Sequence, residues 1–238
     1  MIQIVEETPS TNSALAAMAG SAPHGYAIMS RRQTAGRGQR GNTWESAPGM
    51  NVTLSVLLRP DGVDAAAQFT ISEAVAIGVV DTIAPLLPGE DVRVKWPNDV
   101  YVGDRKICGI LIENSLVGRS VERSIAGIGL NVNQDRFVSD APNPVSLTQL
   151  TGQTYDVEDV ARRLCDNILT RMEQSVEALH CDYRALLWRG EGYHAWTDAS
   201  GRRFDARIED VAPTGHLTLE ERDGGRGTFA FKEVAAVL

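Results

Sequence analysis

Gln33-Thr-Ala-Gly-Arg-Gly-Gln-Arg-Gly-Asn-Thr-Trp44 concentrates more backbone freedom and positive charge than any other stretch of the chain. Gly36, Gly38 and Gly41 permit positive φ and let N–H groups converge without Cβ obstruction, as an anion-binding nest requires. Arg37 and Arg40 add forked cations suited to phosphate or carboxylate oxygens. The glycine spacing satisfies GxGxxG, but a dinucleotide site needs a helix directly afterwards. Here Pro48-Gly49 follows within a run that has no helical period, and Val52-Thr-Leu-Ser-Val-Leu-Leu58 reads as a strand. A phosphate-binding loop of the Walker type is disfavoured too, because its lysine position holds Asn42. The stretch is therefore a strand-to-strand ligand loop, the alternative being a solvated Arg/Gly surface loop.

Outward from the loop, Tyr26-Ala-Ile-Met-Ser30 reads as the strand that delivers Arg31, Arg32 and Gln33 into it. Residues 2–5 form another short strand, and Thr8-Pro-Ser-Thr-Asn12 opens a helix over 13–19 stopped by Gly20. Capping needs only one of Ser10, Thr11 and Asn12 and is the simpler account of all three. Residues 65–84 carry the longest helical pattern of the first half, apolar on most faces, and 92–96 form a strand. At its end Trp96-Pro-Asn-Asp99 offers an amide and a carboxylate for Mg²⁺ or a phosphate-bound water, or is an ordinary turn. A hairpin follows, with Lys106 opening a second strand that is apolar up to Glu113 and contains Gly109, a site of close approach. The strand 124–130 delivers Asn131 and Asn133 to one face. Residues 156–182 read as one long amphipathic helix, and beyond Gly190-Glu-Gly192 short alternating segments indicate a small β-barrel. The expected organisation is an α/β domain over 1–188 and a barrel over 189–238.

A chain of 238 residues with 43% hydrophobic content buries a full core. Its net charge of −8 argues against a general nucleic-acid surface, so Arg31, Arg32, Arg37 and Arg40 form a local basic patch fit for a small anion. Cys108, Cys165 and Cys181 match no zinc spacing and read as reduced thiols of a cytoplasmic protein. The N-terminus lacks a signal-peptide pattern, and no apolar run is expected to avoid charge and Pro for long enough to span a bilayer.

Taken together, Ser10-Thr-Asn12, Gln33 with Gly36-Arg-Gly-Gln-Arg-Gly-Asn-Thr-Trp44, Lys95-Trp-Pro-Asn-Asp-Val100, Lys106-Ile-Cys-Gly-Ile-Leu-Ile-Glu113 and Gly127-Ile-Gly-Leu-Asn-Val-Asn133 resemble the biotin protein ligase family, in order along the whole chain. The resemblance implies an α/β (α+β) fold like the class II aminoacyl-tRNA synthetase core, a mixed sheet with flanking helices, plus a small C-terminal SH3-like β-barrel. It implies adenylation of biotin by ATP to biotinyl-5′-AMP, then transfer to a lysine of a biotin carboxyl carrier protein. Ser10, Thr11, Asn12, Gln33, Gly36, Arg37, Gly38, Gln39, Lys106 and Gly109 would then bind biotin. Arg37, Arg40, Asn42, Trp44, Asn98, Lys106 and Asn131 would bind ATP or the adenylate, Lys106, Arg37 and Arg40 would be catalytic, and Asp99 would face Mg²⁺. Family members often carry arginine where this chain has Gln39 and Asn42, which implies weaker retention of biotinyl-AMP unless Arg31 or Arg32 compensates.

The rival enzyme is a lipoate or octanoate ligase on a related fold, and a catalytically dead biotin-binding module is the non-enzymatic rival. Some members carry an N-terminal helix-turn-helix and act as repressors. Ser10 follows Met1 too closely for one, so DNA and membranes are not expected partners, and the protein is expected to be a monomer or homodimer.

Overall fold

The structure, a computed structural model, describes residues 1–39, 42–138 and 143–237. Its first sheet is built from β1 (Ile2–Thr8), β2 (Ala27–Gln33), β3 (Val52–Leu58), β4 (Val92–Lys95), β5 (Asp99–Val102), β6 (Arg105–Val117) and β7 (Ser120–Leu130). The strand order is β1-β2-β3-β7-β6-β5-β4. Only β1 and β2 pair in parallel, so the sheet is mixed, as expected.

Alternation along β2, β3 and β7 sends apolar side chains to both faces. One face carries Met29, Leu54, Val56 and Ile128 and is covered by α2 (Phe69–Ile83) and α4 (Val157–Met172). Every turn of α2 is apolar, which suits a helix buried all round. The other face carries Ile28, Leu57 and Ile125 and is covered by α1 (Thr11–Met18) through Leu15 and Ala19. α1 has only 8 residues, so it covers one end of this face. The same face continues through Ser55 on β3, Gly127 and Gly129 on β7, and Gly109 and Leu111 on β6, paired as Ser55↔Gly127, Leu111↔Gly127 and Gly109↔Gly129. That uncovered glycine floor is where the cavity described below lies.

Two helix readings are corrected. The helix expected over 65–84 is a 3-10 turn (Ala65–Ala67), then α2, then a second 3-10 turn (Ala84–Leu86) containing Pro85. The helix expected over 156–182 is two, α4 and α5 (Val176–Ala185), because Ser175 takes an extended conformation and accepts a hydrogen bond from the Ala178 N–H as the N-cap of α5. α3 (Leu147–Thr151), opened by a Ser146–Gln149 capping box, was not foreseen. The segment Ala65–Leu86 is long and apolar enough to cross a membrane, yet 72% of that window is buried inside the protein as its packing helix.

The C-terminal strands β8 (His194–Asp198), β9 (Arg203–Val211), β10 (Leu217–Glu221), β11 (Arg226–Phe229) and β12 (Val234–Ala236) form an antiparallel sheet in the order β11-β10-β9-β8-β12. Among the described residues β11 and β12 do not pair, so the expected barrel takes the form of a five-stranded sheet. It docks on the first unit through apolar side chains that belong to one continuous core, including Phe204, Val211 and Leu217. Trp96 Nε1 donates to Gly215 O at 2.9 Å, and Trp96 meets Phe231 edge to face.

Candidate active site

A cavity of about 1040 Å³ opens on the glycine floor. At its β3 side, Ser10, Thr11 and Asn12 are 5%, 4% and 3% exposed. Ser10 holds the N-cap position of α1 but makes no side-chain capping hydrogen bond, so capping does not account for the cluster. Thr11 N and Oγ1 donate to Gln33 Oε1 at 2.8 and 3.1 Å. Ser55 Oγ stands between Thr11 Oγ1 (2.7 Å) and Asn12 Oδ1 (2.6 Å). Asn12 Nδ2 donates to Glu113 Oε2 at 2.7 Å, and Arg37 Nη2 donates to the same oxygen at 3.0 Å. These bonds fix several neutral donors and acceptors against an apolar floor, an arrangement suited to a compact ligand with more than one polar edge.

The floor must be glycine. A Cβ on Gly127 would lie 2.9 Å from Asn12 Cγ, and one on Gly109 or Gly129 would come within 2.7 Å of the Trp44 ring. The 36–44 segment folds back on itself, with Gly38 N donating to Asn42 O at 2.7 Å and Trp44 N to Gly36 O at 3.1 Å, and so lays the Trp44 indole across both strands. Gly36 and Gly38 do not take positive φ, and Gly38 spends its N–H inside the loop. The expected donor nest is thus absent among the described residues. Gly36 is required instead because a Cβ would sit 2.8 Å from Trp44 O. Trp44 Nε1 is buried without a partner, a donor left for a ligand.

Charged groups gather toward β5 and β4. Lys106 Nζ pairs with Asp99 Oδ2 at 2.5 Å. Lys95, at the end of β4, also lines the cavity, and burial holds its ammonium below the usual lysine range. Tyr101 beside it is pushed up by burial and by Asp99 and Asp104, so its hydroxyl stays protonated. Cys108 is fully buried, its thiol pushed well up by burial, and it acts as a small hydrophobe.

Of the remaining candidates, Arg37, Gly38, Gln39 and Asn42 line the cavity together with Trp44, Lys106 and Gly109, whereas Gly36 stands behind it. Arg40 and Gly41 lie outside the described residues. Gln39 Nε2 donates to Asn98 Oδ1 and to Ile110 O, both at 3.1 Å, so this amide ties the loop to β6. Asn98 borders a second cavity of about 390 Å³ that shares Gln39, Pro97, Leu111 and Phe231 with the first. Asn131 is 2% exposed, its Nδ2 donates to Val145 O at 3.0 Å, and its Oδ1 has no partner. It does not line the main cavity. Nor do Arg31 and Arg32, which pair with Glu6, Glu158 and Glu7 at the surface, so among the described residues Arg37 is the member of the basic patch that lines the cavity.

Asp99 is taken up by Lys106, and among the described residues no three His, Cys, Asp or Glu side chains converge on one point. These residues do not fit a protein-held ion. Sequence reasoning missed Ser55, Lys95 and the walls that the C-terminal sheet supplies, Trp196, Ile208, Phe231 and Lys232. Only Lys95, sharing a motif with Asn98 and Asp99, carried a readable signal.

The model of the Biotin/lipoate A/B protein ligase family matches residues 5–131. The chain is 35% identical over 191 residues to the biotin--[acetyl-CoA-carboxylase] ligase of Mycobacterium tuberculosis, spanning 77% of this chain and 70% of that protein. It is 33% identical over 223 residues to the bifunctional ligase/repressor of Bacillus subtilis, spanning 86% of this chain and 64% of that protein, under two-thirds of that relative's length. A biotin protein ligase from Aquifex aeolicus, solved in complex with biotin and ATP, shares the fold with a TM-score of 0.80 at 21% identity, over 99% of this chain and 98% of that one. With its fold, its glycine-floored cavity and these relatives in agreement, the chain belongs to the biotin/lipoate A/B protein ligase family.

Proposed function

We propose that the chain is an ATP-dependent biotin protein ligase. It adenylates biotin and transfers the biotinyl group to a lysine of a biotin carboxyl carrier protein, part of a biotin-dependent carboxylase, in the cytoplasm. The observation that carries this reading is one cavity holding the Ser10–Thr11–Asn12–Gln33 network and the Lys106 ammonium on a shared glycine floor. The network suits a ureido ring, which presents two N–H donors and a carbonyl acceptor together.

In the first step a carboxylate oxygen of biotin attacks the α-phosphorus, the Pα–O bond to the β-phosphate breaks, and pyrophosphate leaves with the bond pair. Like charges meet in that step, and Lys106, Arg37 and Arg40 offset them electrostatically. Trp44 offers a face and a free N–H to the adenylate, whereas Asn131, which does not line the cavity, is not assigned to the base. Asn42 lines the nucleotide side, and Asn98 holds Gln39 in place. In the second step the carrier lysine's neutral amine attacks the acyl carbon, the C–O bond of the mixed anhydride breaks, AMP leaves, and the amine proton passes to solvent. Magnesium would arrive bound to the triphosphate and would offset the charge of its oxygens.

Biotin-dependent exchange of labelled pyrophosphate into ATP tests the reading, with lipoate and octanoate as alternative acids. Exchange with biotin, falling on the order of 100- to 1,000-fold in Lys106→Ala, is the expected result. Exchange only with a fatty acid assigns the chain to lipoate or octanoate ligation, and none with any acid reduces it to a binding module.

A further inference from the structure

Tyr183 is fully buried and lines neither cavity, yet its hydroxyl reaches the frame of the active site. Trp96, Pro97 and Asn98 join β4 to β5, and each is tied to another part of the fold. Trp96 Nε1 donates to Gly215 O, Asn98 Oδ1 accepts from Gln39, and Pro97 O accepts from Tyr183 Oη at 2.7 Å. Gly215 lies in a turn and Gln39 in the 36–44 segment, whereas Tyr183 belongs to α5. A group held from a helix is placed more sharply than one held from a loop. α5 is itself braced on two sides. His180, one turn before Tyr183, has Nδ1 2.8 Å from Glu73 Oε1 on α2, and Arg184 pairs with Asp210 on β9 and donates to Glu209 O at 2.7 Å. The Tyr183 ring meets Phe69 of α2 edge to face, with centres 5.5 Å apart. Burial and the nearby Glu73 carboxylate push the Tyr183 hydroxyl well up, so it stays a donor at neutral pH.

A buried phenol needs a partner for stability alone. This one does more because of what the turn carries. Asp99, the next residue, opens β5, and its Oδ2 meets Lys106 Nζ at 2.5 Å. Given the ligase reading above, Lys106 offsets the charge that gathers as a carboxylate meets the α-phosphorus, and that effect is lost when the cation is displaced. The chain of contacts therefore runs from α5 through Pro97 and Asp99 to the Lys106 ammonium, with Tyr183 at the end remote from the cavity. The geometry points to Tyr183 as a positioning residue for adenylation: its hydroxyl anchors the 96–98 turn, and through Asp99 it fixes where Lys106 holds its charge.

The test uses the full chain as wild type, Tyr183→Phe, Ser175→Ala, Asp99→Asn and the double variant of Tyr183→Phe with Asp99→Asn. Tyr183→Phe keeps the ring and deletes only the hydroxyl. Ser175→Ala weakens the same helix at its cap and leaves the turn alone. At 25 °C, kcat for biotin-dependent pyrophosphate exchange is expected to fall about tenfold or more in Tyr183→Phe, with KM for biotin and for ATP within about twofold, and to stay unchanged in Ser175→Ala. In the Asp99→Asn background the loss of the hydroxyl is expected to cost less than about twofold, because the link it acts through is already cut. Hydrogen–deuterium exchange reads the anchor directly. Amides of 98–100 should exchange faster in Tyr183→Phe and not in Ser175→Ala, while those of α2 keep their protection. An unchanged kcat in Tyr183→Phe overturns the proposal, as does a loss equally large with and without the Asp99 carboxylate, or a turn whose hydrogen–deuterium exchange does not change. Absence of pyrophosphate exchange in the wild type overturns the ligase reading instead, and the hydrogen–deuterium result then decides the anchor by itself.

Discussion

Gly127 and Gly129 share a strand face yet guard different ends of the cavity. A methyl at 127 strikes Asn12, and a methyl at 129 strikes Trp44. Overpacking of this kind costs about 1–3 kcal/mol, and here the yielding groups are ligand-facing side chains. Gly127→Ala should therefore raise KM for biotin about tenfold or more with little change for ATP, and Gly129→Ala should do the reverse. Steady-state kinetics on both variants decide it, and equal effects on both substrates would refute the split. Lys95 supports a second prediction. Its pKa is lowered in the fold, so at pH 7 the fold disfavours its charged form, and Lys95→Met should raise the ligand-free Tm. Above the lowered pKa the folded state binds fewer protons than the unfolded chain, whose lysine titrates near 10.5, so wild-type stability gains with rising pH. The advantage of Lys95→Met should shrink toward pH 10.5 in thermal melts, and a constant gap would refute the linkage. Lys106 was legible as a charged residue opening an apolar strand. Lys95 was legible only as a member of the motif it shares with Asn98 and Asp99, and nothing near it in sequence says that Trp188 closes over it.

At the scale of elements, strand periodicity was the most readable signal, and 52–58 was foreseen to the residue. Helix ends were less so. The apolar series Val160, Leu164, Ile168, Met172, Val176 and Leu179 runs on across the break between α4 and α5, yet Val176 is 42% exposed. The stripe is therefore two helix faces in succession, and the signal that separates them is one hydroxyl, Ser175, on Ala178 N. Ser175→Ala should cost about 0.5–2 kcal/mol in denaturant unfolding and leave exchange activity at 25 °C unchanged, since α5 borders no ligand group. A neutral effect on stability would mean that the turn, rather than the cap, sets the break. Residues of the loop 33–44 line the cavity, but its described glycines serve a different purpose from the one read in the sequence. Gly36 and Gly38 allow Trp44 to lie down rather than gather N–H groups, and no local pattern distinguishes those uses. Gln39 follows the same logic. Its amide binds β6, so Gln39→Arg would exchange a loop tether for a phosphate contact. Less biotin on bystander proteins in Gln39→Arg than in wild type would support leaky retention of biotinyl-AMP, and equal labelling would refute it.

For the molecule as a whole, the change of pattern after Gly192 marked a second sheet, but sequence could not say whether that sheet folds apart from the first. Its apolar face merges with the α2 side of the larger sheet, and Trp96, Phe69 and Tyr183 meet Phe231 and the Gly215 turn there. The C-terminal sheet thus shares its apolar interior with the first unit, so melting one exposes apolar surface of the other. Differential scanning calorimetry should show one endotherm. Gly215 has φ 87°, and a Cβ there would lie 2.7 Å from Phe69 Cδ2. Gly215→Ala should thus lose about 1–3 kcal/mol through backbone strain and overpacking together. If the core is shared, the entire endotherm moves down, by about 2–4 °C per kcal/mol at this chain length. An endotherm that splits, with only a minor part shifted, would show that 189–238 melts alone and that the cavity walls at Trp196 and Phe231 can leave the site without unfolding it.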